Sequence, residues 1–567
     1  MLGLPRWIFW LLLGFLAIKF LLAWYVPAND IDSVSSYMVR NYFSQFGPLE
    51  KTATFEFLYT FPTTFDFMFG PFLKLHWFET LPNFLLFVLM LYILFRQAPP
   101  SQHVTIFALV FSCQALITQI SSGKNDLAIA TFALTCWWAI YCLKGRWFRI
   151  PLALFAMAAL LGTKWMGIPL AGLLFIAFAY EAYQDGEIKR VLLIMLALLP
   201  LLLWVGSINT YLTNWVTYGS PIWTSPAVKS DLMGHESVWQ TSILLFQVLV
   251  IKSFDMIYYL SDRFIVKGYL WKYMMNFPPN IRYYVTPAAD YTNVGGIVAV
   301  ICAGLSVWCL FLKNLERPLK VSAALGLIYT AVMIYKIEMN PFFVRYLSAA
   351  YVLMILPAAY MVSRIEKPYL RRFLLGFALF TMIPTLFMQR ETLMWPVPEE
   401  YWVPKSETDH SNPGQFSRLL TIFEVASRHM NPPVTPYPYW PPHKPDRDAL
   451  QFMIWLGLVW SYDYFRAEIP TTDSLMMVNF DTDMHGPVAI GPFLRLRNPA
   501  NTLMVNVRNG DKYGDWHDNL GHVQYVMAWD GPFSDPRYCL VHSHRPYLTI
   551  FRLKDGNNEC PKPYFLN

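Results

Sequence analysis

Long apolar runs separated by short polar breaks dominate the first two thirds of the chain. Runs near 7–26, 81–96, 103–121, 127–143, 150–163, 166–182, 191–207, 294–312, 321–335, 345–363 and 372–388 approach or reach the length that crosses a bilayer as a helix. They predict about eleven transmembrane helices, the 150–163 run being the shortest. The first run follows Arg6 and is too long for the core of a signal peptide. Val26-Pro27-Ala28-Asn29 is a poor cleavage site, so the run reads as a retained transmembrane helix.

The polar breaks set the orientation. With the N-terminus inside and the helices alternating, the inside loops carry Arg6, Arg96, Lys144, Arg146, Arg149, Lys189, Arg190, Lys313, Arg317, Lys320, Arg364, Lys367, Arg371 and Arg372. The short outside loops carry only Lys124, Lys164, Lys336 and Arg345. This is the bias expected of cytoplasmic loops. Two long segments, 27–81 and 207–293, then fall outside, both rich in aromatic residues and proline as interfacial segments are. Within the second, 243–251 is apolar but too short to span, and predicts an interfacial or re-entrant helix.

Beyond Met388 the pattern changes. Prolines crowd 432–445, which reads as an extended linker or covering loop. Helical patterns at 415–429 and 448–466 are followed by short runs at 475–480, 502–507, 523–528, 538–541 and 547–551. Asn509-Gly510, Asp530-Gly531 and Asp555-Gly556 punctuate these runs, as turns between strands do. The expected organisation is a transmembrane module over 1–388 and a small extracytoplasmic α+β domain over 389–567.

Composition narrows the class. Only 14% of residues are charged, against roughly a quarter in soluble chains. The net charge of +6 is small for this length and its basic residues sit in short loops, so nucleic acid is not an expected partner. Cys113, Cys136, Cys142, Cys302 and Cys309 lie in apolar runs and read as small hydrophobes. Cys539 and Cys560 lie in the polar tail and are free to pair if it faces an oxidising compartment. His517, His522, His542 and His544 have spacings that zinc sites use, but no cysteine or supporting pattern joins them. They read as surface or core histidines of a β domain. There is no Walker loop, dinucleotide fingerprint or Gly-x-Ser-x-Gly elbow, which argues against nucleotide-driven transport and against a soluble-type nucleotide-sugar enzyme.

Candidate chemistry gathers in the outside loops. Asp30, Asp32 and Arg40 follow the first run, where a lipid-linked phosphate and a water-soluble acceptor meet. On a helix Asp32 and Arg40 are slightly over two turns apart and face one cleft. A carboxylate there can deprotonate a hydroxyl, and a guanidinium can bind phosphate with paired hydrogen bonds. The plainer alternative is Asp32 as an N-cap and Arg40 as a surface charge. In Ser121-Ser122-Gly123-Lys124-Asn125-Asp126-Leu127, Asp126 is placed to cap the next helix and Lys124 to reach a phosphate. Gly162-Thr163-Lys164-Trp165 sets a lysine between two apolar runs, which is costly unless it meets phosphate, water or a partner. Arg345 and Tyr346 open another run after Asn340-Pro341. Each of these also suits a capped helix or a snorkelling interface residue. Lys19, deep in the first run, either snorkels outward or pairs with an acid on another helix.

The run Asp32-Ser33 with Ser35 and Arg40 resembles the first loop of membrane glycosyltransferases of the C-type (GT-C) fold. These include the protein O-mannosyltransferases, the aminoarabinose transferases and their bacterial relatives. Ser36 and Tyr37 stand where that run has Tyr-His. Lys124-Asn125-Asp126-Leu127, Gly162 to Trp165 and Arg345-Tyr346 resemble further motifs of the fold, in the same order. Ile490-Gly491-Pro492-Phe493 is similar to the tail of some bacterial relatives. The resemblance implies an α-helical polytopic membrane protein of the bacterial inner membrane, N-terminus cytoplasmic and C-terminal domain periplasmic. It implies Asp32 as general base, with Asp30 the near alternative, and Asp126 as second acid. Arg40, Lys124, Lys164, Arg345 and Tyr346 would hold the donor phosphate. The implied donor is a polyprenyl-phosphate sugar, and the acceptor a lipid, a polysaccharide or a protein. No cofactor is required, since the leaving group is already a phosphate; a divalent metal is compatible but not indicated. The alternative is a transporter or flippase of lipid-linked sugars, which needs a polar path through the bundle. Here the charges cluster at one face, which favours surface chemistry.

Overall fold

The computed structural model describes residues 3–25, 62, 64–75, 78, 80–121, 123–222, 238–253, 294–337, 343–387, 464–465, 468–479, 501–506, 520–529, 533–544, 548–554, 560 and 564–566. Asp30, Asp32, Arg40, His517, the 415–429 pattern and the proline cluster lie outside the described residues. The chain divides into two compact units. The first comprises Met1–Trp24, Thr60–Phe72 and Phe78–Pro396; the second comprises Tyr25–Tyr59, Leu73–Trp77 and Val397–Asn567.

The first unit is helical: α1 (Arg6–Tyr25), α2 (Thr64–Leu75), α3 (Leu81–Gln97), α4 (His103–Ser112), α5 (Gln114–Gln119), α6 (Asp126–Cys142), α7 (Arg149–Thr163), α8 (Gly167–Gln184), α9 (Ile188–Val205), α10 (Ile208–Tyr218), α11 (Val238–Lys252), α12 (Ile297–Phe311), α13 (Arg317–Lys336), α14 (Phe343–Tyr346), α15 (Ser348–Ser363) and α16 (Pro368–Phe387). Every predicted span falls on a helix, and the predicted 243–251 segment lies within α11. Two spans are interrupted. Cys113 separates α4 from α5, and Leu347 separates α14 from α15.

The helices sort by what covers them. In α9 only Val205 is buried, and Leu192, Leu193, Leu196 and Trp204 face outward. An apolar helix with so much uncovered surface belongs in lipid. By contrast α6 and α15 are apolar all round and almost wholly buried, so they are enclosed by their neighbours. Exposed Trp7, Trp10, Tyr180, Tyr183, Trp204, Trp308 and Phe311 sit towards helix ends, as interfacial aromatic residues do. The chain is a polytopic α-helical membrane protein with a small C-terminal sheet domain.

Contacts between helix ends bring particular loops together. At one end the Gly3 N–H donates to His103 Nδ1 at 2.8 Å, Gln102 Nε2 to Ser363 Oγ at 3.2 Å, and Trp137 Nε1 to the Pro318 carbonyl at 3.0 Å. The same end holds an ionic network. Lys144 meets Glu181 at 2.7 Å and Asp185 at 3.0 Å, Arg149 meets Asp185 at 2.9 Å and Glu187 at 2.8 Å, and Arg317 meets Glu181 at 2.6 Å. Loops assigned to a common side by their Lys and Arg content thus meet in space. At the other end the Thr64 hydroxyl donates to the Val205 carbonyl, and Tyr211 donates to the Leu161 carbonyl at 2.7 Å. A Cβ on Gly162 would overlap the Val205 carbonyl and the Thr64 side chain, so glycine lets α7 end against α2 and α9 two residues before Lys164.

The second unit carries a six-stranded sheet: β1 (Leu475–Asn479), β2 (Thr502–Asn506), β3 (Tyr525–Trp529), β4 (Tyr538–His544), β5 (Leu548–Leu553) and β6 (Tyr564–Leu566), in the order β2-β1-β3-β5-β4-β6. The predicted runs become β1 to β5; the three-residue β6 was not anticipated. β1 runs parallel to both β2 and β3 and is buried continuously from Leu475 to Val478, as parallel strands covered on both faces are. β3–β5 and β4–β5 are antiparallel. Met476, Val478, Val526 and Ala528 pack with Phe533 and Tyr538 in one core cluster. His542 is fully buried and stacks on Tyr464, ring centroids 4.6 Å apart. Cys539 of β4 forms a disulfide with Cys560, closing a separation of 21 residues. A loop of that size contributes about 3 kcal/mol by restricting the unfolded chain.

Candidate active site

The site is built where α5, α6, the turn after α7 and α14 converge, within the first unit. Asp126 is the first residue of α6 and is 3% exposed. The sequence suggests that it caps this helix; it does not. Asn125 occupies the N-cap position without a side-chain cap bond, and the Leu127 N–H is satisfied instead by Gln119 Oε1 at 2.7 Å. The Asp126 carboxylate is thereby released to face its neighbours, at the positive end of the helix dipole.

Two cations flank that carboxylate. Arg345 Nε stands 3.5 Å from Oδ2 and Lys164 Nζ 3.7 Å from Oδ1. Lys164 also donates to Asn125 Oδ1 at 3.1 Å. Tyr346 lies beside both, its ring centroid 5.2 Å from the Lys164 ammonium and 5.3 Å from the Arg345 guanidinium. Lys164 is 4% exposed and Arg345 6%. Buried charges are costly to desolvate, and here they compensate one another.

Around these groups lies a frame of neutral hydrogen bonds. Gln119 Nε2 donates to Asp126 Oδ2 at 3.1 Å. Asn83 Nδ2 donates to the carbonyls of Gln119 at 2.9 Å and Lys124 at 2.8 Å, tying the 119–126 turn to α3. Lys19 does not snorkel outward: it is fully buried and donates to Ser121 Oγ at 2.8 Å, joining α1 to the same turn. Its ammonium lies over the Phe15 ring, 5.7 Å from the centroid.

Of the sequence candidates, Asp126, Lys164, Arg345 and Tyr346 come together, and Lys124 lies buried in the adjoining turn. Asp30, Asp32 and Arg40 fall outside the described residues. Gln119 and Asn83 were not singled out from the sequence. The available signal was an amide side chain inside an otherwise apolar run at the end predicted to face outward. Among the described residues no group of three or more His, Cys, Asp or Glu gathers in the manner of a metal site.

A lipid-embedded helical bundle with a small C-terminal sheet domain is the architecture of the C-type membrane glycosyltransferase fold. The solved structure of ArnT from Cupriavidus metallidurans bound to undecaprenyl phosphate shares it, with a TM-score of 0.51 and 11% identity, over 96% of this chain and 97% of that one. No protein-family model and no curated protein matches the sequence.

Proposed function

We propose that the chain is a membrane glycosyltransferase that moves a sugar from a polyprenyl-phosphate donor to a cell-envelope acceptor, at the extracytoplasmic face of the bacterial inner membrane. The observation that carries this reading is the buried Asp126 carboxylate between the Lys164 ammonium and the Arg345 guanidinium. The fold shared with an ArnT structure that holds undecaprenyl phosphate supports it. The gathering of Lys- and Arg-rich loops with the N-terminus at the opposite end supports a cytoplasmic N-terminus.

The reaction is a displacement at the anomeric carbon. The acceptor hydroxyl oxygen forms the new bond to that carbon as the bond to the phosphate oxygen breaks, and the electron pair leaves on the phosphate. Lys124, Lys164 and Arg345, with Arg40, bind the phosphate and stabilise the charge it gains, Tyr346 lying against the cations. Asp32 takes the acceptor proton, with Asp30 the alternative base, and Asp126 is the second carboxylate. Acceptors of three kinds fit: a lipid, a polysaccharide or a protein.

The test is release of undecaprenyl phosphate when membranes containing the protein are given undecaprenyl-phosphate sugars. Asp32→Asn is expected to lower release by about 10²- to 10⁴-fold while insertion and carrier binding persist. Full transfer by that variant removes Asp32 from the site. A flippase instead moves the lipid across the membrane with its sugar–phosphate bond intact.

A further inference from the structure

We propose that Gln119 is a positioning residue that fixes the direction of the Asp126 carboxylate for transfer, an inference that rests on the transferase reading above. Gln119 ends α5 and is fully buried. Both ends of its amide are engaged. Oε1 accepts the Leu127 N–H at 2.7 Å and Nε2 donates to Asp126 Oδ2 at 3.1 Å. A backbone N–H only donates, so the amide oxygen must face Leu127, and the NH₂ group must then face Asp126. Flipping the amide would break both bonds. The residue is itself held from α3, because Asn83 Nδ2 bonds the Gln119 carbonyl and the Lys124 carbonyl together.

The cations cannot do this work at the distances seen. Arg345 Nε is 3.5 Å and Lys164 Nζ 3.7 Å from the carboxylate, where attraction compensates charge but is weakly directional. An amide hydrogen bond constrains both distance and angle. A neutral donor also orients the carboxylate without adding a third positive charge beside Lys164 and Arg345. The division of labour is therefore charge compensation by the cations and orientation by the amide.

Two variants test this. Gln119→Leu removes both bonds and is expected to lower kcat for release of undecaprenyl phosphate by about 10- to 100-fold, the worth of one hydrogen bond to a charged group, with KM for the donor little changed. Gln119→Glu keeps an acceptor for the Leu127 N–H, so the start of α6 is preserved. It sets a second carboxyl about 3 Å from Asp126, and two carboxylates at that distance do not both ionise readily. Once protonated, the introduced carboxyl donates to Asp126 as the amide does. Gln119→Glu should therefore be as impaired as Gln119→Leu near pH 8 and regain transfer as the pH falls towards about 6, an acid limb that the unmodified protein lacks. A helix cap alone would not produce that limb. Infrared titration of the protonated-carboxyl band gives a readout independent of turnover: its midpoint in Gln119→Glu should move to lower pH when Asp126→Asn is added. The proposal is overturned if Gln119→Glu shows an unaltered kcat and pH profile, if it is as impaired as Gln119→Leu at every pH, or if Asp126→Asn leaves the infrared midpoint in place. Failure of the unmodified protein to release undecaprenyl phosphate sinks the transferase reading instead, and the infrared arm then still decides the contact between Gln119 and Asp126.

Discussion

Both ends of α6 carry ionic clusters, and the two are built on different principles. The helix runs 17 residues from Asp126 to Cys142, so the clusters stand about 25 Å apart. At the Lys144 end, three carboxylates meet their cations at 2.6–3.2 Å, and most of the cations reach water: Lys144 is 44% exposed, Arg317 49% and Arg190 51%, while Arg149 is buried. At the Asp126 end, carboxylate and cations are all buried, and the ion pairs open to 3.5–3.7 Å. Short pairs, most with one partner in water, fasten loops together. Desolvated charges held apart cost stability where they stand. The contrast predicts that substitutions at the Asp126 end cost activity and those at the Lys144 end cost stability.

The largest expected effect lies at the Asp126 end. Lys164→Ala or Arg345→Ala should lower transfer from an undecaprenyl-phosphate sugar by about 100-fold or more, the usual loss when one preorganised group facing developing charge is removed. Kinetics at saturating acceptor measure this. Loss of stability without loss of turnover in the surviving folded protein would erase the distinction between the two ends.

Next comes Glu181, 1% exposed, which receives Lys144 at 2.7 Å and Arg317 at 2.6 Å. Breaking a fully buried pair costs about 3–5 kcal/mol. Here the abandoned cations are half exposed and rehydrate, so Glu181→Ala should destabilise the bundle by about 1–3 kcal/mol. Thermal unfolding in detergent reads that loss, and turnover well below the transition should match the unmodified protein. A transfer defect with unchanged unfolding would show that this end also serves the chemistry.

The two ends were unequally legible in the sequence. Asp126, Lys164 and Arg345 stood out because a charge at the border of an apolar run is costly and demands a reason. The spans stood out for the complementary reason: length and apolarity suffice to define a membrane helix. Asn83 and Gln119 did not stand out, since a neutral amide in an apolar run announces neither its partner nor its direction. At the Lys144 end the basic residues gave an expected sidedness, but their carboxylate partners Glu181, Asp185 and Glu187 were not read, because pairing across α7, α8 and α13 exists only once the bundle is assembled. The interruption at Cys113 has no proline or glycine to mark it. In the tail, alternation and turn residues found β1 to β5, whereas the parallel pairing of β1 with β2 and β3 depends on crossover connections that local patterns do not encode.

The smallest effect concerns pH and Asp185, which sharpens the comparison by asking whether the Lys144 end responds to protons at all. Burial works against the Asp185 charge, but hydrogen bonds from Lys144 and Arg149 outweigh it and lower its pKa below the ordinary 3.8. A carboxylate whose folded pKa is lowered contributes stability above its unfolded pKa, and that contribution disappears as the pH falls through the folded value. For Lys144, desolvation is likewise outweighed by the hydrogen bonds it donates to Glu181 and Asp185, which raise its pKa above 10.5, so its share is present below that value and is lost only as the pH rises beyond it. Between about pH 5 and 9 the pair therefore stays ionised and its contribution stays flat. Asp185→Asn should destabilise by about 1 kcal/mol across that range, because Lys144 is partly in water and the buried Arg149 keeps Glu187, and the difference from the unmodified protein should shrink only below about pH 4. Unfolding followed in detergent as a function of pH measures it. A difference that instead varied between pH 6 and 8 would mean that Asp185 is coupled to a group titrating near neutrality, and the Lys144 end would then have to be counted as a proton-responsive element and not as a fixed clasp.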